Sequence, residues 1–549
     1  MRPIKCPHQN RSWLLAGLLW ASAANANTAD DLIRSRVEAV TQGFQVEIAG
    51  KVITAADKLQ RLYAASGYQP IWVQSGRLNT YGRMLLDVLS AAQDHGLDTA
   101  EYHLPSISAR LASRDLKTLD GIADLDVLMS DGALTYASHL VAGKVEPEKL
   151  YKGWKSAPRE RDVVSVLWTA RNGDPIAVKS AYALLAPGDL RYHRLRALLA
   201  RYRDESRKFI PKVPDTKLAV GDHDPGVASL RDRLAAWGDH AIQSDDEPNQ
   251  FDETLEADVK KFQLRHGLDA DGVVGAKTRA ALNTSLAYRA RQIKVNLERW
   301  RWLPLDLGAR RIEVNIAGFH VDVIEDNVSV LPMKAIVGKR YHKTPVFSGL
   351  MTYLVLNPSW NVPPSIAANE FLPKLRQDPS FLVEDGYRLL SGWGENRIVL
   401  DAHSIDWHAV AKRGFPYRIQ QLPGDKNALG KVKFMFPNEF DVYLHDTPAR
   451  SLFARTTRDF SHGCVRLEKP LDLAPYLLRG DPVWPAGRIE RVLETKQETT
   501  VLLKSPIPVH ILYWTAWVDE QGTPHFRNDI YDRDTPLAVA LTESISPKR

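Results

Sequence analysis

The chain has 549 residues, of which 44% are apolar, 25% charged and 9% aromatic. That balance excludes a disordered or collagen-like protein, and the length suits three or four domains. The formal charge is +6, or +3 once Arg2, Lys5 and Arg11 of a leader-like N-terminus are set aside, too weak to argue for nucleic acid through phosphate neutralisation.

Those three cations precede the apolar run Trp13–Trp20 and small residues ending in Ala24-Asn25-Ala26, the pattern of a secretory signal over residues 1–26, cleaved after Ala26. The run is shorter than the roughly 20 apolar residues of a bilayer span. No later stretch reaches that length, so the mature protein is expected in an exported compartment with no integral membrane span. Only two cysteines occur, and Cys6 lies inside the leader. Cys464 is then a lone thiol with no internal disulfide partner, either a buried apolar residue or one in use.

Residues 28–215 place apolar side chains at helical spacing, as in Asp57–Tyr63, Tyr81–Leu89 and Asp131–Leu140, and predict a helical scaffold. His103, His139 and His193 are scattered through it singly, a structural rather than a ligating pattern. Pro211 and Pro214 mark a boundary. Residues 222–285 predict three helices: a stripe of Val227, Leu230 and Leu234, a second of Leu255, Val259 and Phe262 stopped by Gly267, and a last over Lys277–Leu282 after the Asp271-Gly272 turn. The run Asp258–Asn283 resembles the three-helix peptidoglycan-binding domain of many wall enzymes. Most matching residues are core and turn residues, so they speak for a fold more than for a ligand, and a spacer role stands beside wall binding.

A polar linker helix with Trp300 and Trp302 is expected within 286–308. From 309 the pattern turns to β, with strands at Arg311–Ile316, His320–Glu325, Val328–Val337, Leu350–Leu356, Lys431–Phe436 and Phe440–His445, and a hairpin turn at Glu325–Val328. Residues 365–428, with Gly392-Trp393-Gly394 and Phe415-Pro416-Tyr417, read as an insertion placed over the sheet. The tail 491–549 is expected to pack on the scaffold. The fold class is therefore multidomain α+β: a mainly-β domain over 309–490 with an inserted subdomain, a three-helix unit and a helical scaffold.

The chemistry concentrates at Phe440–Asp446 and at Ser461-His462-Gly463-Cys464-Val465-Arg466, where Cys464 follows His445 by fewer than twenty residues. In an extended strand Asp441, Tyr443 and His445 share one face and Phe440, Val442 and Leu444 the other. Gly463 permits a tight turn and close approach of a substrate just before the thiol. Glu468-Lys469-Pro470 reads as a helix start whose N–H groups favour a thiolate or donate to an oxyanion. Arg466, two residues beyond the thiol, can steady the thiolate or hold a substrate carboxylate.

These residues resemble the L,D-transpeptidases with a YkuD-type catalytic domain, and the insertion and peptidoglycan-binding-like unit resemble the large YcbB-type members of Gram-negative bacteria. Val337–Lys339, Thr344-Pro345 and Asn357–Pro364 are shared features. The resemblance implies Cys464 as nucleophile and His445 as general base and then acid, oriented by the main-chain carbonyl of Asp446. It implies an oxyanion hole from the backbone N–H groups of Gly463, Cys464 and His462. Arg466, Tyr443, Ser461 and Trp360 are candidates for substrate contact, with packing the alternative for Tyr443 and Trp360, and loop shaping an alternative role for the His462 ring.

By the same resemblance the protein is a periplasmic enzyme without metal or cofactor, acting on peptidoglycan stem peptides. It would cut between the L-centre of diaminopimelate and the terminal D-Ala of a tetrapeptide stem, then pass the acyl group to a neighbouring diaminopimelate amine in a 3–3 cross-link. The insertion becomes a lid that excludes water, and wall synthases or carboxypeptidases become partners. Rival readings are an L,D-carboxypeptidase or endopeptidase, a lipoprotein-anchoring transpeptidase, and a noncatalytic wall-binding scaffold. A zinc peptidase is disfavoured by the lack of His-Glu-x-x-His, and a serine penicillin-binding enzyme by the lack of Ser-x-x-Lys.

Overall fold

The helix Leu119–Ala142 (α1) has almost no polar stripe and is buried on nearly every side, as a helix apolar all round must be. Its two buried carboxylates are satisfied largely by backbone N–H groups. Asp126 accepts from the N–H groups of Ile71, Trp72 and Val73 at 2.7–3.0 Å, and Asp131 from those of Thr54 and Ala55 at 2.7–2.8 Å. His103 sits 2.7 Å from Asp131 and His139 3.0 Å from the Tyr102 hydroxyl, both structural roles. The computed structural model describes residues 28–113, 115–155, 159–240, 247–392, 397–413 and 415–543. The leader with Cys6 and the cleavage position after Ala26, and Trp393 and Gly394, lie outside the described residues.

Beyond the helical segment that ends at Leu190–Glu205 come the helices Gly226–Trp237 (α2), Glu253–Arg265 (α3) and Ala276–Leu282 (α4). The backbone leaves α3 through Gly267 at φ +64°, the left-handed geometry that favours glycine. Buried Gln263 knits the next turn, donating to Asp271 at 2.8 Å and accepting from the Gly272 N–H at 2.9 Å. The linker helix lies within the expected span at Leu286–Arg301 (α5), and it is largely buried. Asn296, Glu298, Arg299 and Arg301 are 0–1% exposed. Arg301 pairs with Glu298 at 2.6 Å and Arg299 with Asp534 at 2.8 Å, so polar composition here marks a paired interior. Ile293, Leu297 and Trp300 face the helical core, while Val295 and Trp302 join the core of the β domain.

The β region runs β1 (Arg310–Asn315), β2 (His320–Glu325), β3 (Val328–Gly338) and β4 (Phe347–Leu356), then in the insertion β5 (Trp360–Asn361), β6 (Tyr387–Ser391), β7 (Ile398–Leu400) and β8 (Arg418–Gln421). After it come β9 (Val432–Met435), β10 (Leu444–His445), β11 (Asp459–Ser461), β12 (Val465–Leu467) and β13 (Thr499–Leu512). The β2–β3 turn is where it was expected, with Asp326 and Asn327 at φ 47° and 67°, as a primed turn requires. Pairing runs β3-β12-β10-β9-β4-β13-β1-β2 and returns to β3, closing the sheet around Val314, Val323, Leu354, Phe434, Val465 and Val509.

Two expectations are overturned. The tail does not simply pack on the scaffold: β13 enters the barrel between β4 and β1, and only the following segment, through Trp514, Ala516 and Phe526, reaches the helical core. Phe440–Tyr443 is not strand. Asn438 accepts from the N–H groups of Phe440 and Val442 at 3.0 and 3.2 Å and so competes with the ladder, while Asp441 turns through φ 53°. The insertion connects β4 to β9, barrel neighbours, and has its own sheet, ordered β7-β6-β8-β5, and its own core of Val362, Phe371, Leu375, Leu389, Trp407 and Ile419. Among the described residues no helix is long and apolar enough to cross a membrane.

Candidate active site

Register assembles the site. Antiparallel β9–β10 pairing sets Lys433 opposite His445, and parallel β10–β12 pairing sets His445 opposite Arg466. Paired residues share a face, so these three side chains form a row across three strands. Just before β10 lies Tyr443, whose carbonyl accepts from the Val465 N–H at 3.2 Å, with Cys464 beside it. The Tyr443 ring stands 5.6 Å from the His445 ring and 3.8 Å from the Lys433 ammonium.

His445 is 5% exposed, and its Nδ1 lies 2.5 Å from the Asp446 carbonyl. A carbonyl can only accept, so Nδ1 carries the proton and Nε2 is left with a lone pair. Burial, reinforced by Arg466 and Lys433, pushes the imidazole pKa down to about 3 against the pull of that carbonyl. Cys464 is half-buried, and burial raises its thiol. The Tyr443 backbone N–H and hydroxyl pull the other way, as do Lys433 and Arg466, without overcoming it. The resting pair is therefore a neutral thiol and a neutral imidazole. The Asp446 carboxylate serves structure, accepting from the Lys431 N–H at 2.8 Å and facing Arg450 at 3.2 Å. Gly430 makes room for it, since a Cβ there would lie 2.3 Å from its oxygen.

The turn before the thiol passes through Gly463 at φ +120°. Thr344 anchors it, donating to the Gly463 carbonyl at 2.8 Å and accepting from the Gly338 N–H at 2.9 Å. Ser461 is committed here too: its hydroxyl donates to the Cys464 carbonyl at 2.5 Å and accepts from the Gly463 N–H at 3.1 Å. The Gly463 N–H, expected in the oxyanion hole, is thereby engaged by the Ser461 hydroxyl. The helix predicted after Glu468 forms at Pro470–Leu478, but extended β12 intervenes. At about 3.3 Å per extended residue its N-terminus lies on the order of 15 Å or more from the thiol, too far to polarise it.

The His462 ring contacts the Glu370 carboxylate of the insertion through Nε2 and stands 5.0 Å from the His342 ring. Trp360 on β5 hydrogen-bonds the Tyr443 hydroxyl and packs 6.4 Å from Phe371 in the insertion's core. Arg466 forms no ion pair among the described residues, and its buried Nε has no hydrogen-bond partner. Sequence reasoning missed Lys433 and Glu370. A lysine between Val432 and Phe434, in a run read as strand, was a usable signal for the first; Glu370 carried none.

Comparison with known proteins places three family models on the chain: an L,D-transpeptidase catalytic domain (YkuD) over residues 309–484, a "Putative peptidoglycan binding domain" over 223–282 and a scaffold domain over 57–199. A Haemophilus influenzae protein named "Putative L,D-transpeptidase" is 37% identical over 249 residues, which span 45% of this chain and 49% of the relative, about half its length. Among solved structures, the L,D-transpeptidase of Xylanimonas cellulosilytica is 15% identical, covering 56% of this chain and 100% of its own, at a TM-score of 0.18. The Ldtfm-avibactam carbamoyl enzyme is 10% identical, covering 58% and 98%, at 0.17. Residues 309–484 thus match the L,D-transpeptidase catalytic domain (YkuD), preceded by matches to a peptidoglycan-binding-type domain over 223–282 and a scaffold domain over 57–199.

Proposed function

We propose that the protein is a periplasmic cysteine L,D-transpeptidase that forms 3–3 peptidoglycan cross-links from tetrapeptide stems, releasing D-Ala. The observation that carries this reading is the Tyr443–Cys464 pair set beside the Lys433–His445–Arg466 row, with the histidine held as a neutral base. His445 Nε2 takes the Cys464 proton as sulfur attacks the carbonyl of diaminopimelate, and the N–H groups of His462 and Cys464 receive the oxyanion. Collapse breaks the amide bond, the imidazolium protonates the departing D-Ala amine, and a thioester remains. A diaminopimelate side-chain amine then attacks the thioester, loses its proton to His445, and releases the thiol.

The Glu370–His462 and Trp360–Tyr443 contacts support a lid role for the insertion, which would favour amine over water as acceptor. Export through the N-terminal leader and work alongside wall synthases or carboxypeptidases belong to the same reading. The test is to incubate purified protein with cell walls and mass-analyse the digested muropeptides. 3–3 dimers with free D-Ala are expected, and neither with Cys464→Ala. Trimmed tripeptide stems alone would replace this reading with the carboxypeptidase one.

A further inference from the structure

Far from Cys464 in the chain, a cavity of about 600 Å³ opens where the three-helix unit, α5 and the segment Phe526–Asp529 meet. Three cations line it, Lys277 at the start of α4, Arg289 on α5, and Arg527. None forms an ion pair among the described residues. Arg289 is 8% exposed; it donates to the neutral side chain of Gln292 at 2.8 Å, lies 4.9 Å from the Phe526 ring, and its Nε has no partner. Arg527 donates to the carbonyls of Arg265 and Phe526, both at 2.8 Å. Burial pushes both guanidinium pKa values down to about 10, the mark of charges that are desolvated and not repaid.

The one carboxylate on the lining, Asp529, is already occupied. It accepts from the Tyr513 hydroxyl and the Arg533 N–H on one oxygen and from the Asp534 N–H on the other. His266 supplies a second orphan. It is 5% exposed, its Nδ1 lies 2.8 Å from the Phe262 carbonyl, and its Nε2, then a lone-pair acceptor, has no partner. Tyr288, half exposed at 51%, lies on the same lining. The wall is thus short of anionic groups, offers one unused acceptor, and presents an aromatic face.

We propose that this junction is a second binding site, taking a carboxylate-bearing muramoyl peptide: Lys277, Arg289 and Arg527 receive the carboxylate, and His266 accepts from an amide N–H or hydroxyl of the same ligand. The inference rests on the cell-wall reading of the protein, and it extends the ligand surface beyond the three-helix unit, because α5 and Phe526–Asp529 complete the groove. It explains why Arg289 and Arg527 are kept buried without counter-ions.

The test uses the full chain carrying Cys464→Ala, so that nothing turns over. The probe is N-acetylmuramoyl-L-alanyl-D-glutamate, which keeps two carboxylates but lacks the diaminopimelate–D-Ala bond an acyl donor needs. Calorimetric titration should give saturable binding, weakened about tenfold by Lys277→Glu or Arg527→Gln and by amidating both carboxyls of the probe. Lys277 is exposed and unpaired, so its replacement leaves the fold intact, which circular dichroism checks. No binding, equal binding of the diamide, or affinity unchanged in both variants would overturn the proposal. D-Ala release from a soluble tetrapeptide by the unsubstituted protein tests the catalytic reading independently. Release without probe binding removes the groove alone; binding without release removes the catalytic reading alone.

Discussion

At Cys464 burial and local charge act in opposite directions, and burial wins. The thiol sits above its ordinary value although Tyr443, Lys433 and Arg466 all favour the thiolate. A group whose ionised form is disfavoured gains reactivity as pH rises, so alkylation by iodoacetamide should keep climbing past pH 9 rather than levelling near neutrality. A plateau at pH 6–7 would show a preformed thiolate and overturn the neutral-pair description. Tyr443→Phe removes the one hydroxyl donor on the sulfur and should slow alkylation at pH 8 about three- to tenfold. His445, already driven down to about 3, stays neutral across that whole range and adds no inflection. Cys464 and His445 were legible as candidate residues, from their spacing and neighbours. Their partners were less so: that Ser461 and the Gly463 N–H spend themselves on one another depends on a turn geometry that no local pattern encodes.

At the scale of elements, the insertion meets the candidate site through polar contacts of Glu370 with His462 and of Trp360 with Tyr443. Both Glu370 and His462 are partly exposed, so their contact is worth about 0.5–1 kcal/mol. Glu370→Ala should therefore raise the ratio of stem trimming to cross-linking about two- to fivefold in a muropeptide digest, with total D-Ala release little changed. An unchanged ratio would separate the insertion from acceptor choice. The hairpin at Asp326-Asn327 and the three-helix unit were readable because turn residues and helical stripes are local signals. Phe440–Tyr443 misled because its alternation is real, with Val442 and Leu444 buried and Asp441 exposed, while the Asn438 side chain takes the hydrogen bonds a strand would need.

For the whole molecule, α5 is the joint between helical core and barrel, and it is held by charges hidden from water. Glu298 accepts from Arg301 and from the Val145 N–H at 2.8 Å, while Arg301 also reaches the His95 carbonyl at 3.0 Å and the Tyr192 hydroxyl at 3.2 Å. Glu298→Gln would strand a buried guanidinium at a cost of about 3–5 kcal/mol. The thermal midpoint should fall by several degrees for the helical part and the barrel together; a shift under 1 °C, or one confined to a single part, would show that the joint transmits little stability. Composition alone marked this helix only as a polar linker, because pairing between distant residues leaves no trace in a local window. The same holds for β13, whose partners in β1 and β4 precede it by well over a hundred residues. A ribosome or an export channel delivers a chain from its N-terminus, so the sulfur, imidazole and their flanking cations all emerge before the stave that shuts the cylinder. The site around Cys464 and His445 therefore cannot be fully assembled while the protein is still being threaded, and it is complete only once β13 has arrived.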